Sequence, residues 1–245
     1  MVVLNQTRMA KIFFVCVLFF VSEFVFGQKI DSECVERLNL LIEDYNTRFH
    51  EQENFKCNIR TVSSGYDENE EFVTYLKRNF HKSVVKSPFF TILYDEESML
   101  VIMHDERVMY YQEASNEKET EAVTEPPTGI EIFEHAEYIK DIHCLNRGVL
   151  SVVIDPEAST SLDGLTNVVY RYDENKMTLE SVTEYYSIQG EEYTKSQFFE
   201  NYEELKVSTF QGSVKAIAKN PARYNEMYKE YKLIDLRNPN INNYE

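Results

Sequence analysis

Residues 100 to 112, LVIMHDERVMYYQ, are two apolar runs on either side of a four-residue polar turn. The pattern predicts a β-hairpin. It is not the alternating hairpin that shows one face to water, because Leu100 to Met103 and Val108 to Tyr111 are apolar at every position. Successive side chains along a strand point to opposite faces. Such a hairpin carries apolar groups on both faces and needs cover on both.

Strand signals surround it almost without a break. FKCNIRTVS (55–63) alternates Phe55, Cys57 and Ile59 with polar neighbours. The polar SGYDENE leads to FVTYLKRNF (72–80), then FFTILY, MLVIM and RVMYY, joined by the turns DEES and HDER. Short β-rich runs separated by polar turns describe an antiparallel meander. The second half repeats the theme with VLSVVID and then the long stretch from Leu165 to about Ser208, in which YDENK and IQGEE read as hairpin turns. These later strands alternate better, as in Val168, Tyr170 and Tyr172 against Asn167 and Arg171.

Helical spacing occurs at both ends of this β-rich region. Over 31–53, Cys34, Val35, Leu38, Leu41, Ile42, Tyr45 and Phe49 form one apolar stripe, with Asp31 or Ser32 as the cap and Glu33 and Glu36 in the first turn. One amphipathic helix is marginal alone and must lie on a sheet. Near 221–232, Asn220-Pro221 offers a helix start and Tyr224, Met227, Tyr228 and Tyr231 a stripe behind it. Between the halves, residues near 113–128 are acidic, poor in apolar groups and closed by Pro126-Pro127, which reads as a surface loop. IEIFEHAEYI (130–139) fits either a strand or a short helix. The expected class is α+β: one mainly antiparallel sheet in a single domain over 28–245, with N-terminal and C-terminal helices packed on it.

The first 27 residues read as a secretory signal peptide. Arg8 and Lys11 precede an apolar core from Ile12 to Val21, and Val25-Phe26-Gly27 supplies the branched and small residues before a cleavage point. Glu23 interrupts the run short of the roughly 20 residues a membrane span requires. Met9 is an alternative start to Met1. The chain is therefore expected to be exported, periplasmic or secreted, and soluble after cleavage. Its formal net charge of −17 argues against nucleic acid and anionic membrane surfaces. Beyond the signal stand Cys34, Cys57 and Cys144, an odd number that allows either buried thiols or one bridge.

No nucleophile elbow, phosphate loop or metal-spaced His/Glu pair is present, so no catalytic residue, metal or cofactor is expected. His104, Asp105 and Glu106 are the densest titratable group, and adjacency in a tight turn reads as solvated. Phe90, Ile92, Leu100, Ile102, Val108 and Tyr110 are candidates to line an apolar cleft on the meander, each more readily legible as plain core. Tyr185, Tyr186, Tyr193 and Tyr202 on the long strands are candidates for protein contacts.

The order of elements from about 35 to 210 resembles the periplasmic outer-membrane lipoprotein carrier (LolA-like) superfamily. YNTRFHEQENFKCNIRTV is similar to the family's first helix running into a strand, LVIMHDERVMYY to its hairpin, and LTNVVYRYDENKMTLESVTEYY to its later meander. Glu106 stands where the family's hairpin has glycine, and the chain has no tryptophan. The resemblance implies an unclosed β-barrel curved around helices, and a non-catalytic monomeric protein whose partner is a lipid or an acylated protein. The alternative is an envelope protein-interaction or sensor module without lipid cargo.

Overall fold

The computed structural model describes residues 31–65, 69–79, 82–113, 138–145, 147–205 and 213–237. The signal region, nearly all of the acidic segment and the last residues lie outside the described residues.

The opening hairpin is β5 (Ser98–Met103) and β6 (Val108–Glu113), turned through His104–Arg107 with Arg107 in the left-handed region at φ 54°. It extends a meander of β1 (Asn54–Ser64), β2 (Glu70–Asn79), β3 (Lys82–Lys86) and β4 (Phe90–Asp95). The second half is β7 (Ile139–Leu145), β8 (Val149–Ile154), β9 (Leu165–Asp173), β10 (Thr178–Ile188) and β11 (Glu191–Glu204). Gln189 and Gly190, both at positive φ, close β10 onto β11 as a two-residue turn whose twist matches that of the strands. A last strand, β12 (Lys232–Asp235), joins β6 in parallel. All twelve form one unclosed sheet in the order β12-β6-β5-β4-β3-β2-β1-β11-β10-β9-β8-β7, with every other pairing antiparallel.

The expected N-terminal helix is present as α1 (Ser32–Asn46), capped by Asp31 and continued by a π-helical turn over Thr47–Glu51. Its stripe is buried as the spacing requires: Cys34, Leu38, Leu41, Ile42, Tyr45 and Phe49 are all core. Asp44 accepts the backbone N–H of Leu179 at 3.0 Å, and Arg48 donates to the Leu179 carbonyl at 2.9 Å, which pins the helix to β10. Phe49 packs edge-on against Phe55 at 5.6 Å and tilted against Phe199 at 5.3 Å. Cys34 forms a disulfide with Cys144 on β7, across a sequence separation of 110, and Cys57 is a buried free thiol.

One apolar cluster around α1 collects side chains from nine neighbouring strands, from β4 through β1 to β7. Nine strands laid flat would span about 38 Å, whereas a helix of this length runs about 22 Å. The sheet therefore curves around the helix, and the face that carries α1 is its inner face.

The C-terminal segment differs from the single helix expected over 221–232. It comprises α2 (Val214–Lys219), α3 (Pro221–Tyr224), a 3-10 turn over Glu226–Glu230, and then β12. Asn225 is extended, at φ −148° and ψ 123°, and its side chain accepts from Met227 N, so the helix stops and a new turn begins. The stripe is split in consequence: Tyr228 is buried, while Tyr224 and Met227 are exposed. Val214, Ile217, Ala218 and Tyr228 make a second cluster with Val84, Leu93, Leu100, Ile102, Met109 and Tyr111. This cluster lies on the outer face of β3–β6.

Candidate ligand-binding face

Strand register decides which side chains of the meander share a face. Leu93 pairs with Leu100, Leu100 with Tyr111, and Ile102 with Met109. These residues are all buried, and they belong to the outer cluster under the C-terminal segment. The alternate residues pair among themselves: Phe90 with Met103, Ile92 with Val101, Val101 with Tyr110, and Met103 with Val108. On β3, Val85 pairs with Ile92 and also faces the α1 cluster, which places this second set on the inner face.

The two sets differ in cover. Each strand of the outer set is interleaved with half-buried residues of the inner set; β4 and β5 alternate strictly between the two classes, and β6 does so from Val108 to Gln112. Phe90 and Ile92 touch the margin of the α1 cluster. Tyr94, Met99, Val101, Met103, Val108 and Tyr110 belong to neither buried cluster among the described residues. The inner face of β4–β6 is therefore a largely apolar surface that, among the described residues, borders the α1 cluster only at Phe90 and Ile92.

Of the six candidate lining residues, the structure brings Phe90, Ile92, Val108 and Tyr110 together on this surface. Leu100 and Ile102 are on the opposite face, with no solvent exposure. Met99, Val101 and Met103 hold the corresponding positions of β5, a phase the sequence could not reveal because every residue of β5 after Ser98 is apolar. The Ser98 hydroxyl, bonded to Tyr111 Oη at 3.0 Å on the outer side, is the polar marker that sets that phase.

The turn group agrees with a solvated turn at two of its three residues. Asp105 and Glu106 are exposed. His104 instead folds back, with Nε2 at 3.0 Å from the Thr91 hydroxyl and Nδ1 at 3.4 Å from Tyr231 Oη. It thereby fastens the turn to the C-terminal segment. Of the four strand tyrosines, Tyr185 is exposed, Tyr186 and Tyr193 contact each other at 5.6 Å between ring centroids, and Tyr202 stacks on Phe55. The described residues contain no group of three or more metal-ligating side chains, and no described helix is long and apolar enough to cross a membrane.

Fold and surface together define an unclosed, mainly antiparallel sheet curved around an inner helix, with half-buried apolar side chains on the inner face of β5 and β6 that join neither buried cluster among the described residues. Among solved structures, the chain is similar to a LolA superfamily protein from Nitrosomonas europaea, at 11% identity over 69% of this chain and 94% of that one, with a TM-score of 0.33. It is similar also to an uncharacterized conserved protein from Thermus thermophilus (7%, 83% and 99%, TM-score 0.40). A third similarity is to a putative outer membrane lipoprotein-sorting protein domain from Vibrio parahaemolyticus (10%, 75% and 98%, TM-score 0.31). No protein-family model and no curated protein matches the sequence. These similarities assign no activity to this chain.

Proposed function

We propose that this protein is a non-catalytic binding protein of the cell envelope that takes an apolar chain, the acyl part of a lipid or of an acylated protein, on the inner face of β4–β6. One observation carries the reading. The hairpin is apolar on both faces, and the C-terminal segment covers the outer face, while the inner residues of the hairpin belong to neither buried cluster among the described residues. Burying an acyl chain there gains about 0.8 kcal/mol per CH₂ removed from water. Half-buried side chains on a curved surface suit a cargo that must be released as well as bound. The sequence resemblance of the hairpin and later meander to lipoprotein carriers supports the same reading.

The reading includes export. Cleavage after Gly27 would leave Gln28 as the first residue, and N-terminal sequencing of protein recovered from the envelope fraction checks it; intact residues 9–27 in membranes would make the protein an anchored one. Cargo is tested by native mass spectrometry of the purified mature protein. An adduct with the mass of a lipid, lost on organic extraction, supports the reading. A bare protein that also fails to bind a fluorescent fatty acid overturns it.

A further inference from the structure

The inner face of the sheet also carries a buried polar atom without a hydrogen-bond partner. Gln197, on β11, is 3% exposed, and its Oε1 is buried without a hydrogen-bond partner. Buried polar atoms are satisfied in the great majority of cases, so an orphaned acceptor calls for an explanation. Register places Gln197 beside Thr61 of β1 and Val182 of β10, on the face that carries α1. The next inward pair along the same strands is Glu184 with Lys195. Lys195 Nζ lies 3.6 Å from Glu184 Oε2, and the Tyr186 hydroxyl donates to the same oxygen at 3.1 Å. Both partners meet Oε2 of Glu184, and beside that pair Gln197 Oε1 is an acceptor without a donor among the described residues.

We propose that Gln197, beside the neutralised Glu184–Lys195 pair, forms a polar subsite whose Oε1 receives an uncharged hydrogen-bond donor, an amide N–H or a hydroxyl, on the head of a bound amphiphile. The proposal rests on the acyl-binding reading above and adds to it the chemistry of the head. Two features specify an uncharged donor. Lys195 already balances the Glu184 carboxylate, so the pair does not call for a further cation. The Tyr186 hydroxyl, held well above its usual pKa by burial and by Glu184, stays protonated and occupied. Continuity joins the subsite to the apolar face. Thr61 pairs with Gln197 on one side and with Phe72 of β2 on the other, and the Phe72 ring meets Phe89 edge-on at 5.4 Å, one residue before Phe90. A ligand lying along this row would have its chain on β4–β6 and its head at β10–β11.

The test uses the mature protein and two ligands with the same chain, lauramide and methyl laurate, each displacing a fluorescent acyl probe. The amide has N–H donors and the ester has none. Wild type is expected to bind the amide about fivefold to tenfold more tightly, the gain from one hydrogen bond to an otherwise unpaired buried acceptor. Gln197→Met, which fills the same volume without the acceptor, is expected to lose that preference while holding the ester within twofold. Equal binding of the two ligands by wild type, or an unchanged preference in Gln197→Met, overturns the subsite and leaves the acyl reading intact. If no acyl probe binds wild type, the acyl reading fails and the subsite with it. If Gln197→Met does not fold, the wild-type ratio decides alone.

Discussion

Asp95, at the end of β4, accepts the backbone N–H of Val214 at 2.7 Å through Oδ2. Through Oδ1 the same carboxylate accepts from Ser98 N at 3.0 Å and Glu97 N at 3.3 Å, closing the turn into β5. One buried side chain thus shapes the hairpin turn and starts the C-terminal helix that covers the hairpin's outer face. The two functions need the two oxygens of a carboxylate, and the Val214 N–H it bonds is one that the helix itself cannot satisfy.

Replacing Asp95 by Ala leaves the buried N–H groups of Ser98 and Val214 unpaired. Each such loss costs about 1–3 kcal/mol, and we expect the denaturation midpoint to fall accordingly. Limited proteolysis should cut first in the segment around residue 213. A variant as stable and as resistant as wild type would show that the apolar cluster alone holds the segment.

Val101 and Ile102 are neighbours in sequence on opposite faces, which makes them a matched pair. Ile102 has no solvent exposure, so Ile102→Glu buries an unpaired charge and should unfold the protein or lower its stability by several kcal/mol. Val101 is half-buried on the inner face, and Val101→Glu should remain folded while losing binding of a fluorescent fatty acid. Stability and binding measured on both variants check the assignment. Equal loss of stability in the two would make the inner face ordinary core.

Leu41 is 1% exposed, between α1 and the sheet. Leu41→Ala should cost about 2–5 kcal/mol, as transfer and cavity contributions combine. Urea denaturation reads the loss directly, and a negligible change would mean that α1 is not anchored through its stripe.

Stability should also decline in alkali. Burial pushes the Cys57 thiol from its ordinary 9.0 up to about 11, and the Tyr202 hydroxyl from 10.0 up to about 12. Burial likewise raises Tyr170 and Tyr228. Each folded value lies above its unfolded one, so the folded state holds its protons more tightly. Their contribution is full below pH 9 and is lost as pH rises through 11 to 12. Denaturation midpoints at pH 7, 9 and 11 check the direction, and Cys57→Ala should flatten the part of the decline between 9 and 11.

Much of this architecture was legible in the sequence because it rests on local periodicity. The stripe from Cys34 to Phe49 has one helical solution, and the structure buries the side chains that the 3.6-residue spacing selects. The turns DEES, HDER and IQGEE place the hairpins, since short-range geometry governs them. The C-terminal stripe was read too long for a related reason: Asn225 is free to extend, and whether it does depends on β12 reaching β6. Pairing of Cys34 with Cys144 was open, because a contact across 110 residues depends on which strands end up beside α1.

What the sequence by itself determined is that the hairpin of 100–112 needs cover on both faces. Alternation carries the inside-outside information of a strand, and Leu100 to Met103 has none to read. Only the tertiary structure decided the phase. The Asp95 bond to Val214 and the Ser98 bond to Tyr111 fix one face of β5 beneath the C-terminal segment. A period of two then sends Met99, Val101 and Met103 to the inner face and Leu100 and Ile102 to the outer. The physical reason is that an apolar side chain is satisfied by any apolar cover, whereas a buried polar atom accepts only a partner in the right direction, and those partners come from distant parts of the chain.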